Sequence, residues 1–304
     1  MGLQGWPFDR KERSHLWDFI DMCEMLGVDS IWVSDRVVSP GFSLESMTVL
    51  AAIAARTTKM KFGNSVIVLP LRNPTVLAKE IATIDFISEG RMIPAVGLGA
   101  DNPAEYEACG VKMSERAGRT DEAMVLMRKL WTEESVTFHG RYYHTTDVHI
   151  EPRTFMKPCP PIWVGGRTEA ALRRTGRLGD GWLASTVTPA EVKSGIQTIQ
   201  RYAVEAGRSV PEDHFGVIVP FYLGENHEKA MERGSPFMRV RPGAKPDDYG
   251  AFGSGEDVIK KVREYIEAGA TKFVMRPTCP PEETLSQYER VAQWIIPAVQ
   301  SIAA

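Results

Sequence analysis

Four times along this chain an amphipathic helix ends at a glycine and a short apolar strand follows at once. In the first case Leu16, Phe19, Ile20, Cys23 and Leu26 fall at helical spacing, Gly27 follows, and residues 29–34 read as a strand. The pattern returns at Gly90 before 91–96, at Gly179 before 181–184, and at Gly269 before 271–275. Glycine suits such a junction because it takes the left-handed conformation that closes a helix. These strands are too apolar for simple in–out alternation, so they belong to a parallel sheet covered by helices. Further strands are predicted at 60–69, 161–164 and 215–223, with a short first one at Leu3-Gln4, which brings the count to eight. Helices are predicted near 44–56, 75–87 and 119–131. No Gly-x-Gly-x-x-Gly follows an early strand, so closure into a (β/α)8 TIM barrel is favoured over an open doubly wound sheet. The 304 residues suit one barrel domain spanning 1–304.

Two segments break this rhythm. Within 132–160, Val136 to Tyr143 reads as a β-hairpin insertion turning at Gly140, ahead of the stiff Pro158-Cys159-Pro160-Pro161. Residues 232–255 are rich in Gly, Pro, Arg and Asp without periodicity, and read as a long lid-like loop over the barrel mouth.

Composition narrows the function classes. A net charge of −3 gives no electrostatic footprint for nucleic acid or an anionic membrane. No apolar run approaches the ~20 residues that span a bilayer, and no signal peptide is visible. The four cysteines are scattered, against a zinc site or disulfide framework, which points to the cytoplasm. His139, His144 and His149 recur every five residues, a spacing that alternates strand faces, so no metal is expected. No hydrolase elbow or Walker loop occurs.

In a barrel, function belongs at the strand carboxyl ends. There the sequence places Asp35-Arg36, 64–70, Gly97-Leu98-Gly99, Gly165-Gly166-Arg167, Ser185-Thr186 and Arg276. Gly165-Gly166-Arg167, between a strand and a helix that Thr168 can cap, suits a phosphate: glycines let amides approach an anion and Arg167 adds donors. The same residues also describe a plain tight turn. Asp35 is a candidate to orient a cofactor ring or to act as acid or base, or else a capping or salt-bridging residue. Gly97 and Gly99 suit either a ring lying on backbone or an empty turn. Trp6 and Phe8, with the 232–255 segment, are candidates to wall an apolar or aromatic substrate pocket, or else are core or rim residues.

The stretch from Glu24 to Asp35, ending Trp32-Val33-Ser34-Asp35, resembles the bacterial luciferase-like oxidoreductase family. So do Arg72-Asn73-Pro74, Ser88-Glu89-Gly90-Arg91, Gly97-Leu98-Gly99, Pro161 through Gly166 and Gly179-Asp180-Gly181-Trp182, all in register. The resemblance implies a barrel that uses either FMN with oxygen or the deazaflavin F420 as hydride carrier, with the phosphate at Gly165-Gly166-Arg167. It implies a bulge at Asn64-Ser65-Val66 behind the ring, with a non-proline cis peptide at Ser65-Val66. Compact length and Trp-Val-Ser-Asp resemble the F420-dependent branch, where Asp35 would help position ring and hydride. Many members of that branch carry His after this Asp, whereas here Arg36 follows. Arg36 suits stabilising charge on a reduced ring or binding an anionic substrate. The resemblance therefore implies an F420-dependent oxidoreductase acting on a small organic substrate. The alternatives are an FMN-dependent monooxygenase and a non-catalytic flavin-binding barrel. A homodimer, formed through helices beside strands two and three, is also implied.

Overall fold

A computed structural model describes residues 1–4, 14–39 and 41–303. Trp6 and Phe8, the expected pocket wall, lie outside the described residues.

Among the described residues, thirteen strand segments run in chain order. They are β1 (Gly2–Gln4), β2 (Ser30–Val33), β3 (Lys61–Asn64), β4 (Ile67–Val68), β5 (Met92–Ile93), β6 (Ala95–Gly97), β7 (Val136–His139), β8 (His144–Val148), β9 (Trp163–Gly165), β10 (Gly181–Ser185), β11 (Phe215–Leu223), β12 (Ala251–Gly253) and β13 (Lys272–Pro277). β3 and β4 are two pieces of one barrel strand, and β5 and β6 two pieces of the next. β3 pairs with β5 and β4 with β6, so the parallel ladder from β6 through β9, β10, β11, β13, β1 and β2 back to β3 closes on itself as eight strands. The short β1 is a full member, paired to β2 on one side and β13 on the other.

The junction glycines do what the sequence predicts in three cases: Gly27, Gly90 and Gly269 have φ of 67°, 84° and 98°. Gly179 differs. It is extended, with φ −87°, and a Cβ there would lie 2.8 Å from Val164 Cγ2, so close packing on the preceding strand, β9, requires it.

The barrel interior is a small cluster of Trp32, Ala95, Trp163, Leu183, Ile218 and Val274. A larger core, including Leu50, Ile53, Phe62 and Ile81, fills the space between strands and helices. The interior is thus packed, which leaves the mouth as the place for a ligand.

β7 and β8 form the antiparallel hairpin, with Gly140 between them. The segment 232–255 is more ordered than a loop. It holds the end of the helix His227–Gly234, the short helix Pro246–Tyr249, and β12, which pairs parallel with β11. Elements this short carry no readable period.

Candidate active site

The floor of the mouth is set by an irregularity in the third barrel strand. Phe62 and Gly63 pair with Met92 and Ile93, but Ile67 and Val68 pair with Val96 and Gly97. Four steps on one strand therefore face three on the other, a bulge of one residue, and bulges re-aim side chains. The Ser65–Val66 peptide in this bulge is cis, the isomer the resemblance implies. The bulge turns Val66 between two neighbouring strands. A Cβ on Gly97 would lie 2.5 Å from Val66 Cγ2, and one on Gly165 would lie 2.8 Å from Val66 Cγ1. Gly97 and Gly165 thus make room for an apolar floor, a closer constraint than leaving backbone bare.

Above this floor lies a cavity of about 780 Å³ at the strand carboxyl ends. Its wall brings together Asp35, Arg36, Ser65, Val66, Gly97, Gly99, Gly165, Gly166 and Arg167. Asn64 is not among the lining residues. It is fully buried and alternates with Gly63, which faces the interior Trp32 ring, and neither of its amide atoms has a hydrogen-bond partner among the described residues.

One side of the cavity is a helix start. Gly165 leads from β9 through Gly166, with φ 112°, into the helix Glu169–Leu178, and the Thr168 side chain accepts from the Ala171 amide. Trp182 Nε1 donates to the Gly166 carbonyl at 2.7 Å and pins the loop. Arg167 donates to the neutral Thr186 hydroxyl at 2.9 Å, so its charge is left for a ligand. Amides at a helix start, glycine clearance and a guanidinium together fit a phosphate.

The opposite side is different. Asp35 is 4% exposed, and four donors reach its carboxylate. Ser46 Oγ and Arg72 Nη2 donate to Oδ1 at 2.9 and 2.7 Å; the Val68 amide and Arg72 Nε donate to Oδ2 at 2.9 and 3.3 Å. A carboxylate has about four lone-pair sites, and these four contacts fill them. Arg72 also pairs with Glu45 at 2.7 Å. Next to it, Arg36 meets Glu105 at 3.5 Å, and Glu105, wholly buried, also accepts from the Val37 and Val38 amides at 2.8 and 3.2 Å.

Sequence reading missed Arg72 as a partner, Glu105, and Arg239. Glu105 is 68 residues from Val37, and no local signal joins them. Arg239 and Arg276 also line the cavity, so that its described lining carries five arginines against one carboxylate, Asp35. Among the described residues no group of His, Cys, Asp and Glu is arranged to hold a metal ion, and no helix is long and apolar enough to cross a membrane.

Fold and mouth together define a (β/α)8-barrel protein with an anion-ready cavity over an apolar floor. The chain belongs to the luciferase-like monooxygenase family, a family of oxidoreductases, whose sequence profile matches residues 9–248. It is 36% identical over 175 residues to an uncharacterised protein of Mycobacterium bovis, covering 55% of this chain and 57% of that one. The chain thus spans little more than half the length of that relative. It is 29% identical over 227 residues to an F420-dependent glucose-6-phosphate dehydrogenase of Amycolatopsis mediterranei, covering 71% of this chain and 67% of the other. In fold it is similar to the oxygenating constituent of a type II Baeyer–Villiger monooxygenase from Pseudomonas putida in complex with FMN. That likeness has a TM-score of 0.79 at 20% identity and covers 98% of each chain.

Proposed function

We propose that this protein is an F420-dependent oxidoreductase that moves a hydride between the deazaflavin and a small organic substrate. The observation that carries the reading is the pairing, in one cavity, of the Val66 floor with the open anion corner at Gly165, Gly166, Arg167 and Thr168. An apolar face for a ring and a polar corner for its phosphate are what such a cofactor requires of a protein. When bound, the deazaflavin supplies the hydride-carrying carbon. The residues of the chain do the rest. Val66 supports the ring, Arg167 and the helix start hold the phosphate, and Arg36, paired with Glu105, frames the mouth beside them. With its lone pairs filled, Asp35 acts as a positioning residue, fixing the Val68 amide and the end of β2 rather than exchanging protons. The F420-dependent relative supports the choice of cofactor.

An FMN-dependent monooxygenase is the rival reading, supported by the family's description and the FMN-bound structural neighbour. Mixing the purified protein with each cofactor separates them. Tight binding of F420 with reduction or oxidation of its chromophore is expected, and binding and turnover with FMN alone would overturn the reading. The homodimer reading rests on Val76, Phe86 and Ile87, exposed on the helix Pro74–Ser88 after β4. Sedimentation at micromolar concentration tests it, a monomer being the result against it.

A further inference from the structure

The five arginines of the cavity divide by what they touch. Arg174 is bound to Asp121, Arg36 to Glu105, and Arg167 to a hydroxyl in the corner assigned to the cofactor phosphate. Arg239 and Arg276 line the same cavity, and among the described residues neither guanidinium has a hydrogen-bond or ion-pair partner. Both keep solvent-exposed area in the open mouth, and both reach the cavity from fixed points on the chain. Arg276 lies on β13 opposite Pro220 of β11, close to the mouth end of the strand. Arg239 is held from behind by the buried Tyr249, whose hydroxyl donates to the Arg239 carbonyl at 3.3 Å and accepts from the Arg241 amide at 3.1 Å. Arg241, two residues on, is tied to Glu191 at 2.8 Å. The chain therefore neutralises Arg241 and leaves Arg239 free for the cavity.

Position decides what the pair faces. Round the eight-stranded ring, β13 stands opposite the β5/β6 strand and three strands from β9. Arg276 thus stands across the mouth from the Gly165–Arg167 corner, with Arg239 lining the same cavity near enough for its charge to act on Arg276. Burial depresses the Arg276 guanidinium below its ordinary value, opposed by Tyr288 and reinforced by the like charge of Arg239. Two like charges that repel each other across a cavity wall are relieved by an anion bound between them.

We propose that Arg239 and Arg276 form the anion subsite for the substrate, so that the molecule oxidised or reduced here carries a carboxylate or phosphate group. This deepens the functional reading above and rests on the cofactor phosphate taking the opposite corner. The test titrates inorganic phosphate, and separately succinate, into F420-saturated protein by calorimetry. One of the two anions should bind, and the Arg239→Gln/Arg276→Gln double variant should weaken it by at least about tenfold. F420 affinity should stay within about twofold, and Arg239→Lys/Arg276→Lys should recover part of the loss because charge survives while the fork geometry does not. Phosphate against succinate tells which group the subsite takes. Failure of both anions to bind, or binding that the Gln variant leaves unchanged, overturns the proposal. So does a fall in F420 affinity in place of anion affinity, since the pair would then serve the cofactor. If F420 does not bind the wild-type protein, the functional reading fails by itself. The anion titration is then run on cofactor-free Arg167→Ala protein, where a loss in the added Gln pair still reports on the subsite.

Discussion

The ends of β2 and β9 meet in one cavity and are built on opposite plans. At the end of β2 the charged side chains are answered from within: Asp35 by Arg72, Ser46 and the Val68 amide, and Arg36 by Glu105. At the end of β9, among the described residues, Arg167 meets the neutral Thr186 hydroxyl, and the Thr168 hydroxyl caps the helix start. A buried polar network that is fully satisfied rigidifies its surroundings, whereas donors left open in a cleft are available to a ligand. The difference separates residues that hold the site from residues that hold the molecule in it. Mutation should separate them too, by stability on the β2 side and by affinity on the β9 side.

The largest effect is expected from Asp35→Ala. It leaves Arg72, only 16% exposed, with one partner, Glu45, and strips the Val68 amide of its acceptor. Removing one member of a buried pair costs about 3–5 kcal/mol, and the surviving Glu45 contact puts this case at the lower end. Urea denaturation reads it directly. Lost turnover with unchanged stability would make Asp35 a reacting group and break the comparison.

Gly97→Ala comes next. Its Cβ would meet Val66 Cγ2 at 2.5 Å, with the barrel strand behind it. Overpacking of this kind costs about 1–3 kcal/mol. It should also tilt the floor, so both melting temperature and cofactor affinity fall. A stable variant that binds F420 normally would show that Val66 does not support the ring.

On the β9 side, Arg167→Ala should leave stability within about 0.5 kcal/mol, as for other surface changes. Cofactor affinity should weaken by about 1–3 kcal/mol through loss of a charge-assisted contact, read by fluorescence titration with F420. Equal affinities would leave Arg167 a partner of Thr186 and nothing more.

The same contrast governs what the sequence reveals. The β9 corner is legible because its parts are contiguous: strand, Gly165-Gly166, Arg167 and the capping Thr168 stand in one run. The barrel is legible for a similar reason, since each helix–glycine–strand junction is local. At the end of β2 the residue is found but not its work. Asp35 is answered by Ser46 and Arg72, 11 and 37 residues away, and only the closed ring brings them together. The resemblance places Asn64 at the cofactor, but strand alternation turns it away from the cavity. Arg239 sits in a segment whose ordered pieces, such as the three residues of β12, are too short to show a period.

The smallest effect tests how far the satisfied network reaches. Glu45 sits at its outer edge, half exposed, where burial alone would raise its carboxyl. Hydrogen bonds from the Thr48 hydroxyl, Arg72 and the Thr48 and Met47 amides outweigh that and hold it at about 2, against an ordinary 4.5. A carboxyl depressed by folding adds stability that is complete above its unfolded value and is lost as pH falls through the folded one. Glu45→Gln should therefore be less stable than wild type at neutral pH, with the gap closing between about pH 4.5 and pH 2. Glu45 also caps the helix Ser46–Arg56, a role an amide oxygen partly retains, so the difference at neutral pH isolates the charge. A gap that persists unchanged at pH 2 would mean that Glu45 works as a neutral cap. The clamp round Asp35 would then end at Arg72, Ser46 and the Val68 amide, without a charge contribution from Glu45.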